Sequence, residues 1–336
     1  MTGKTWICDL DDTLIPNHHD YSYAQLDFLE WIGEKLHDWR DLRSKSQIGF
    51  TRWIIDNIGH RAPDAQSILD LQVRMESLAK RRMNSQEGIL SSSFLCTYNS
   101  ICKTMGISPD QESYKELIDM GEIGIYAYLK WDAHSILTRQ VEIDSAGAEA
   151  KGFGKERFPT SIRKTYGVIF NDAGLKVSDE NLQHAYNIGT SVFDKKRYEQ
   201  NGLLPGVAKT LDFLILKGDR LVLITKGDLE IQEAKIDANR LEGWFGEDIY
   251  VVNKKSEWTM QRLIRGNLSE EDPENMYHAG NSIRSDLYPA LNAGIWFIYV
   301  PCETWAFERN HNGVPEHQKL FTYDSIDKII ENYDSL

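Results

Sequence analysis

The chain has 336 residues, 41% of them hydrophobic and 26% charged, the make-up of a soluble protein with one large core or two smaller ones. Its formal net charge of -13 argues against broad nucleic-acid binding, which needs clustered Lys and Arg to neutralise a phosphate backbone. The four cysteines, Cys8, Cys96, Cys102 and Cys302, form no CxxC pair and are too sparse for a secreted disulfide scaffold. With no signal-peptide pattern and no apolar run near the ~20 residues of a membrane span, a cytoplasmic protein with reduced thiols and no membrane association is expected.

The first element is a short apolar run, Thr5 to Leu10, that reads as a buried strand. From Ile15 to about Leu204 the pattern is almost entirely helical. Tyr23 to Trp39 sets Leu26, Leu29, Trp31, Ile32 and Leu36 near one face. Ser108-Pro109-Asp110-Gln111 has the Ser and Gln of a capping box with Pro at the first helical position, predicting a helix through about Asp119. Ser145 to Gly154, rich in Gly and Ala, predicts a flexible joint, and Ser178 a cap for a helix over Asp179 to Phe193. Trp31, Trp39 and Trp53 fall on apolar helical faces and are expected in packing. Lys80-Arg81-Arg82 reads as a solvated helix end.

Beyond Leu204 the pattern changes. Helical spacing over Val207 to Lys217 is followed by a strand, Arg220 to Thr225; a helix, Asp228 to Leu241; and a strand, Asp248 to Val252. Then come a helix, Glu257 to Gly266; a strand, Met276 to Gly280; a helix, Ser285 to Ala293; and a strand, Ile295 to Val300. Strands alternating with helices predict an α/β core, a Rossmann-like doubly wound parallel sheet, interrupted after its first strand by an all-helical insertion.

A strand running into Asp9-Leu10-Asp11 puts two carboxylates at its C-terminal end, where open α/β sheets bind ligands. One can attack phosphorus while the other moves a proton. Alone, this pair also fits metal binding by another class of enzyme, or a simple acidic turn. The run Asp9, Asp11, Thr13 resembles the first motif of the haloacid dehalogenase superfamily, and three further matches follow in order. Leu221 to Asp228, with Thr225, Lys226 and Gly227, resembles the second; Val251 to Lys255 the third; and Gly280-Asn281-Ser282-Ile283-Arg284-Ser285-Asp286 the fourth.

The resemblance implies a fold of that type: a catalytic core of residues 1–16 and 204–336, and a helical C1-type cap over 17–203. The extra helices, over about 36–143, make this insertion longer than the usual cap. It implies a magnesium-dependent phosphatase acting on a small phosphate monoester, with Asp9 as nucleophile and Asp11 as acid and base. Thr225 and Lys255 stabilise charge, Lys255 being preferred to Lys254 by its distance from the strand. Leu10, Thr13, Thr225, Lys226, Gly227 and Lys255 bind phosphate; Asp9, the Asp11 backbone carbonyl and Asp286 hold Mg2+, and Asn281 either ligates it directly, hydrogen-bonds a metal-bound water or orients the loop. Asn281 stands where many relatives have Asp.

Plainer readings accompany these. Thr225 and Asp228 also fit a strand end and a helix cap, one of Lys254 and Lys255 an ordinary loop charge, and Asp286 a helix surface. Lys155, Arg157 and Arg163 are candidate contacts for an anionic substrate or plain surface charge. His18 and His19 beside Asp20 suit a hinge better than a second metal site, since no partner at ligand spacing follows them. The expected partner is a small phosphorylated metabolite, with no nucleic acid. A phosphotransferase or mutase on the same core, and a non-enzymatic protein that binds through the helical insertion, are the alternatives.

Overall fold

The computed structural model describes residues 3–36, 42–82, 89–122, 132–302 and 313–336. The chain divides into two compact units: Met1–His18, Lys151–Lys155 and Phe193–Leu336 in one, His19–Ala150 and Glu156–Val192 in the other. No helix among the described residues is long and apolar enough to cross a membrane.

The first unit is built on a six-stranded, all-parallel sheet: β1 (Thr5–Cys8), β2 (Arg220–Lys226), β3 (Ile249–Val252), β4 (Met276–Gly280), β5 (Trp296–Tyr299) and β6 (Leu320–Thr322), in the order β3-β2-β1-β4-β5-β6. Five of these lie where apolar runs predicted them; β6 was not anticipated, because its three residues follow a polar stretch with too few apolar positions to show a period. Side chains alternate across the sheet. Trp6 and Cys8 of β1 join Leu221, Leu223 and Tyr277 in a core closed by Val207, Leu211 and Leu214 of the helix Val207–Leu216. Ile7, Val222, Ile224 and Phe297 form the opposite core against Met260, Leu263 and Ile264 of the helix Glu257–Arg265. Both faces of a parallel sheet are thus covered, which is why its strands read as continuous apolar runs.

β1 is central. The connections run outward from it in one direction through β2 and β3 and in the other through β4, β5 and β6. The reversal falls between β1 and β4, and the C-terminal ends of the strands beside such a switch point are where open α/β sheets bind ligands.

The second unit is helical, with helices over His18–Lys35 (from His19 on), Leu42–Ile58, Ala65–Arg82, Ile89–Met105, Gln111–Glu122, Ala133–Lys151, Arg157–Asp172 and Asp179–Thr190. Phe50 stacks on Phe94 with ring centroids 4.3 Å apart, and Tyr21 meets Phe158 edge-on at 4.8 Å. Trp31 packs beside Tyr166 and His184, and the half-buried Trp53 donates its indole N–H to Glu116; Trp39 lies outside the described residues. Lys80 and Arg81 are exposed, Lys80 pairing with Glu76 one turn away.

Four local expectations are corrected. Ser145 to Gly154 is not a joint throughout, because the helix Ala133–Lys151 continues through its Ala, Glu and Lys residues, all good helix formers, and breaks only at Gly152, whose φ of 75° ends it. Ser178 does cap, accepting from the Asn181 N–H, but the helix closes at Thr190 and Ser191–Phe193 tighten into a 3-10 turn. Residues Phe193 to Leu203, assigned from the sequence to the insertion, belong to the sheet unit, where Leu203 and Leu204 pack on its core. The cap of Gln111–Glu122 is Asp110 and not Ser108: Asp110 Oδ1 accepts the Ser113 N–H at 2.8 Å and Oδ2 its hydroxyl at 2.5 Å. Asp110→Ala is therefore expected to lower stability by about 0.5–2 kcal/mol, and Ser108→Ala by less than about 0.5 kcal/mol, in denaturant unfolding.

Candidate active site

β1 ends at Cys8, so Asp9 is the first residue past the central strand, its N–H still held by the Ala279 carbonyl of β4 at 2.9 Å. The chain then folds back on itself. The Leu10 carbonyl accepts the N–H groups of Leu14 and Ile15 at 2.9 and 3.1 Å, Asp12 adopts a left-handed φ of 59°, and its N–H returns to the Ile15 carbonyl at 2.8 Å. Leu10 and Leu14 sink into the core and anchor this loop. The Leu10 N–H itself donates to Asp9 Oδ1 at 2.7 Å.

Two further strands deliver partners to Asp9. The loop after β3 carries Lys255, whose buried ammonium donates to Asp9 Oδ1 and, at 2.7 Å, to Asp286 Oδ1. Asp286 sits in a five-residue π-helix, Ile283–Leu287, that follows β4, and its Oδ2 accepts the Ser282 N–H at 3.0 Å. Gly280 is required at that turn, since a Cβ there would lie 2.8 Å from the Asp286 Cβ.

The electrostatics follow from burial. Lys255 is held above the ordinary lysine range because Asp286 and Asp9 outweigh the burial that opposes its charge. Asp286 is depressed, Lys255 overcoming burial. Asp9 goes the other way: burial and the like charge of Asp286 push it up to about 7 in spite of Lys255. Two buried carboxylates thus share one ammonium, an arrangement short of positive charge. Its hard oxygen donors fit a magnesium ion, and Asp9 and Asp286 are the residues that would hold one.

The other expected metal residues are engaged elsewhere by their side chains. Asp11 Oδ1 accepts from Lys235 at 2.7 Å and its Oδ2 from Gln232 at 3.3 Å. Asn281 Oδ1 accepts from the Thr13 hydroxyl at 3.4 Å. Of the expected phosphate-binding residues, the Thr225 hydroxyl donates to Gln232 Oε1 at 3.0 Å and Lys226 to the Ser285 hydroxyl at 2.5 Å, while the left-handed Gly227 leaves room where a Cβ would meet the Gln232 amide at 2.9 Å. Lys254 is exposed beside the buried Lys255. Asp228 precedes the helix Leu229–Ala238 in extended conformation but makes no side-chain cap bond.

Sequence reasoning missed Lys235, which is buried and also donates to Asn17 Oδ1 at 2.7 Å. Gln232 and Lys235 are the signal that was available: two long polar side chains three apart on the inward face of one helix. It also missed His278, a fully buried imidazole in mid-strand with Nε2 3.6 Å from Asp286 Oδ1; burial lowers it to about 4, so it is neutral.

The candidate substrate cations are committed to other partners. Arg157 is half-buried and paired with the buried Asp144, so it is not plain surface charge. Lys155 pairs with Glu230 at 2.5 Å, and Arg163 lies 5.3 Å from the Tyr186 ring centroid. The two histidines part company: His19 Nε2 lies 3.2 Å from the Ala62 carbonyl in the helical unit, whereas His18 Nδ1 is 2.9 Å from Asp12 Oδ1 in the sheet unit.

No family model and no curated protein sequence matches the chain. Solved structures do. A haloacid dehalogenase-like family hydrolase from Xanthomonas campestris superposes with a TM-score of 0.53 at 17% identity, over 99% of this chain and 96% of the other. A putative hydrolase of the same type from Bacillus subtilis, bound to magnesium, gives 0.44 at 11%, over 99% and 100%. A 2-haloacid dehalogenase from Pseudomonas syringae gives 0.44 at 14%, over 99% of each chain. The structural neighbours are thus hydrolases of the haloacid dehalogenase type, and the chain has their α/β fold.

The Asp12–His18 pair makes a pH prediction. Burial opposes charge on both groups, but each partner overcomes it, so His18 is raised well above 6.5 and Asp12 is lowered. The His18 contribution to stability is complete below about pH 6.5 and lost as pH rises through its raised value; the Asp12 contribution is lost as pH falls through its lowered one. In the chelator-stripped chain, the stability gap between wild type and His18→Gln in urea unfolding should be largest at about pH 5.5 and shrink as pH rises; a gap that stays constant with rising pH would refute the ion pair.

Proposed function

We propose that the protein is a magnesium-dependent phosphatase that hydrolyses a small phosphate monoester through an aspartyl phosphate on Asp9. The observation that carries this reading is the pairing of two carboxylates with different environments on one loop: Asp9 buried against Lys255, Asp11 half-buried and held by Lys235 and Gln232. A dehalogenation needs only the first. Expelling an alkoxide needs an acid as well, and Asp11 supplies it.

In the first step an Asp9 carboxylate oxygen bonds to phosphorus as the ester P–O bond breaks, and the leaving oxygen takes a proton from Asp11, which must first gain it from the entering ester's monoanion or from water. In the second, water attacks the same phosphorus, Asp11 takes its proton, and the bond to Asp9 breaks to release phosphate. Lys255 fixes the Asp9 oxygen for attack and neutralises charge beside it. Thr225 and Lys226, at the end of β2, are the side chains available to the equatorial oxygens. A magnesium ion held by Asp9 and Asp286 would supply Lewis-acid stabilisation of that charge. The helical insertion is read as the cap that selects a small phosphometabolite.

Asp9→Asn should abolish magnesium-dependent release of phosphate from a panel of sugar phosphates, nucleotides and small acid phosphates while wild type turns over at least one of them. Full turnover by the variant would sink the nucleophile assignment, and transfer of phosphate to an acceptor in place of labelled water would make the enzyme a mutase. On the substrate so found, Lys235→Met should lower kcat by about tenfold or more with little change in KM, because Asp11 loses its holder and proton transfer contributes roughly 10²–10⁴-fold. Lys254→Met, at an exposed position, should leave both constants unchanged.

A further inference from the structure

The loop that leaves Asp11 carries a second group of ligand-type side chains that the phosphatase reading does not use. Asp12, His18 and Cys302 each offer a donor atom, and the three atoms lie within 4.8 Å of one another. Asp12 and His18 bracket the turn into the first helix; Cys302 comes from beyond the end of β5, 284 residues after His18. All three belong to the sheet unit. We propose that Asp12, His18 and Cys302 form a binding site for one zinc-class divalent ion, separate from the Asp9–Asp286 pair.

The donor set selects the metal. A thiolate and an imidazole are poor ligands for magnesium or calcium, which take oxygen, whereas one sulfur, one nitrogen and one carboxylate oxygen suit zinc. Spacing agrees. With Zn–N about 2.0–2.1 Å and Zn–S about 2.3 Å, tetrahedral nitrogen and sulfur ligands stand on the order of 3.5 Å apart. His18 Nδ1 and Cys302 Sγ are 3.8 Å apart.

Polar contacts already draw the three side chains together. Asp12 Oδ1 accepts the N–H groups of Asn17 and His18 at 2.8 and 3.1 Å, and faces His18 Nδ1 at 2.9 Å, so the carboxylate caps the turn and pairs with the imidazole. Cys302 Sγ lies 3.8 Å from the same Nδ1, within the hydrogen-bond reach of sulfur, so the imidazole nitrogen faces both other donors. All three of the Asp12 bonds fall on Oδ1, which leaves Oδ2 as the oxygen for a metal while the two backbone bonds persist.

Binding balances as follows. The Cys302 thiol and the His18 imidazolium each release one proton, Zn2+ bonds to Sγ, Nδ1 and the Asp12 oxygen, and the Nδ1–Oδ1 contact gives way to the metal. Three protein ligands leave a fourth position for water. The ion would tie the loop that follows the two catalytic-type carboxylates to the segment after β5, a cross-link between the first and fifth strands that the sheet ladder does not itself provide, since β1 pairs only with β2 and β4.

The test uses the full-length chain, stripped with a chelator and titrated with zinc against a chromogenic competitor, in the presence of millimolar magnesium. One zinc per chain is expected. Affinity should fall by about tenfold or more in Cys302→Ser and in His18→Gln, and stay unchanged in Asp9→Asn and in Cys96→Ser, whose thiol is exposed. Cobalt substitution should give a thiolate-to-metal charge-transfer band that Cys302→Ser removes, with circular dichroism checking that each variant folds. No stoichiometric zinc in wild type, or zinc retained undiminished by folded Cys302→Ser, overturns the site. Loss of zinc only in Asp9→Asn would place the metal at the other carboxylates and overturn it equally. Because the readout is binding, the result stands whether or not phosphatase activity is found.

Discussion

The arrangement on which the rest depends is one buried ammonium between two buried carboxylates. Lys255 reaches Asp9 and Asp286 at once, and each of the three would be costly to bury alone. Removing Lys255 leaves two like charges facing each other in a low-dielectric setting, whereas removing either acid leaves one matched pair. The trio therefore fixes its own members. It also fixes where they come from, because Asp9 follows β1, Lys255 follows β3 and Asp286 follows β4. Strands that bring these three ends together must lie near one another in a parallel sheet, and the order β3-β2-β1-β4 does this.

Packing serves that geometry at close range. Gly280 lets the β4 end approach Asp286, Leu10 and Leu14 pin the loop between the two acids of the first run, and the π-helix over Ile283–Leu287 takes the Asp286 carboxylate back toward the Ser282 N–H. A π-turn of this kind is a distortion that ordinary helix propensity does not favour, and such turns are frequent where a side chain must be aimed. His278 lies against the same carboxylate, fully buried and held neutral, so it adds bulk and polarity without adding a charge that would unbalance the trio.

How much of this could be read from sequence depended on whether a feature is local. The five longer strands and the helices between them announce themselves through apolar periodicity, since each is buried by its own pattern. Asp9, Thr225, Lys255 and Asp286 were legible because each falls at a strand end, and their order along the chain carries the resemblance. Lys235 and Gln232, which hold Asp11, showed only as two long polar side chains three apart, because a buried lysine on a helix looks the same in sequence as a solvated one. Cys302 was hidden by its separation of 284 residues from His18. The cap at Asp110 was misplaced by two residues because Ser, Pro and Asp are all good helix starters, and only the Ser113 bonds choose among them. Gly152 to Gly154 shows the opposite error, in which composition spread a break over ten residues that helix-forming Ala and Glu confine to three.

Charge counting connects the acidic chain to the anionic substrate proposed for it. Asp9, Asp11 and Asp286 stand with three lysines, Lys226, Lys235 and Lys255, while Asp12 of the same loop is paired with His18. As built, the site is close to neutral, which is the condition for burying so many charges together. A phosphate ester dianion entering it would leave two uncompensated negative charges in a place where water screens them poorly. Surface lysines cannot relieve this, since their field is screened within about 8–10 Å. A divalent cation arriving with the ester restores neutrality, and Asp9, pushed upward by burial and by Asp286, is the carboxylate with most to gain from it. On this ground magnesium and phosphate belong to one proposal: without the cation Lys235 and Lys255 are already spent on the aspartates, and with it positive charge is freed to face the phosphoryl oxygens.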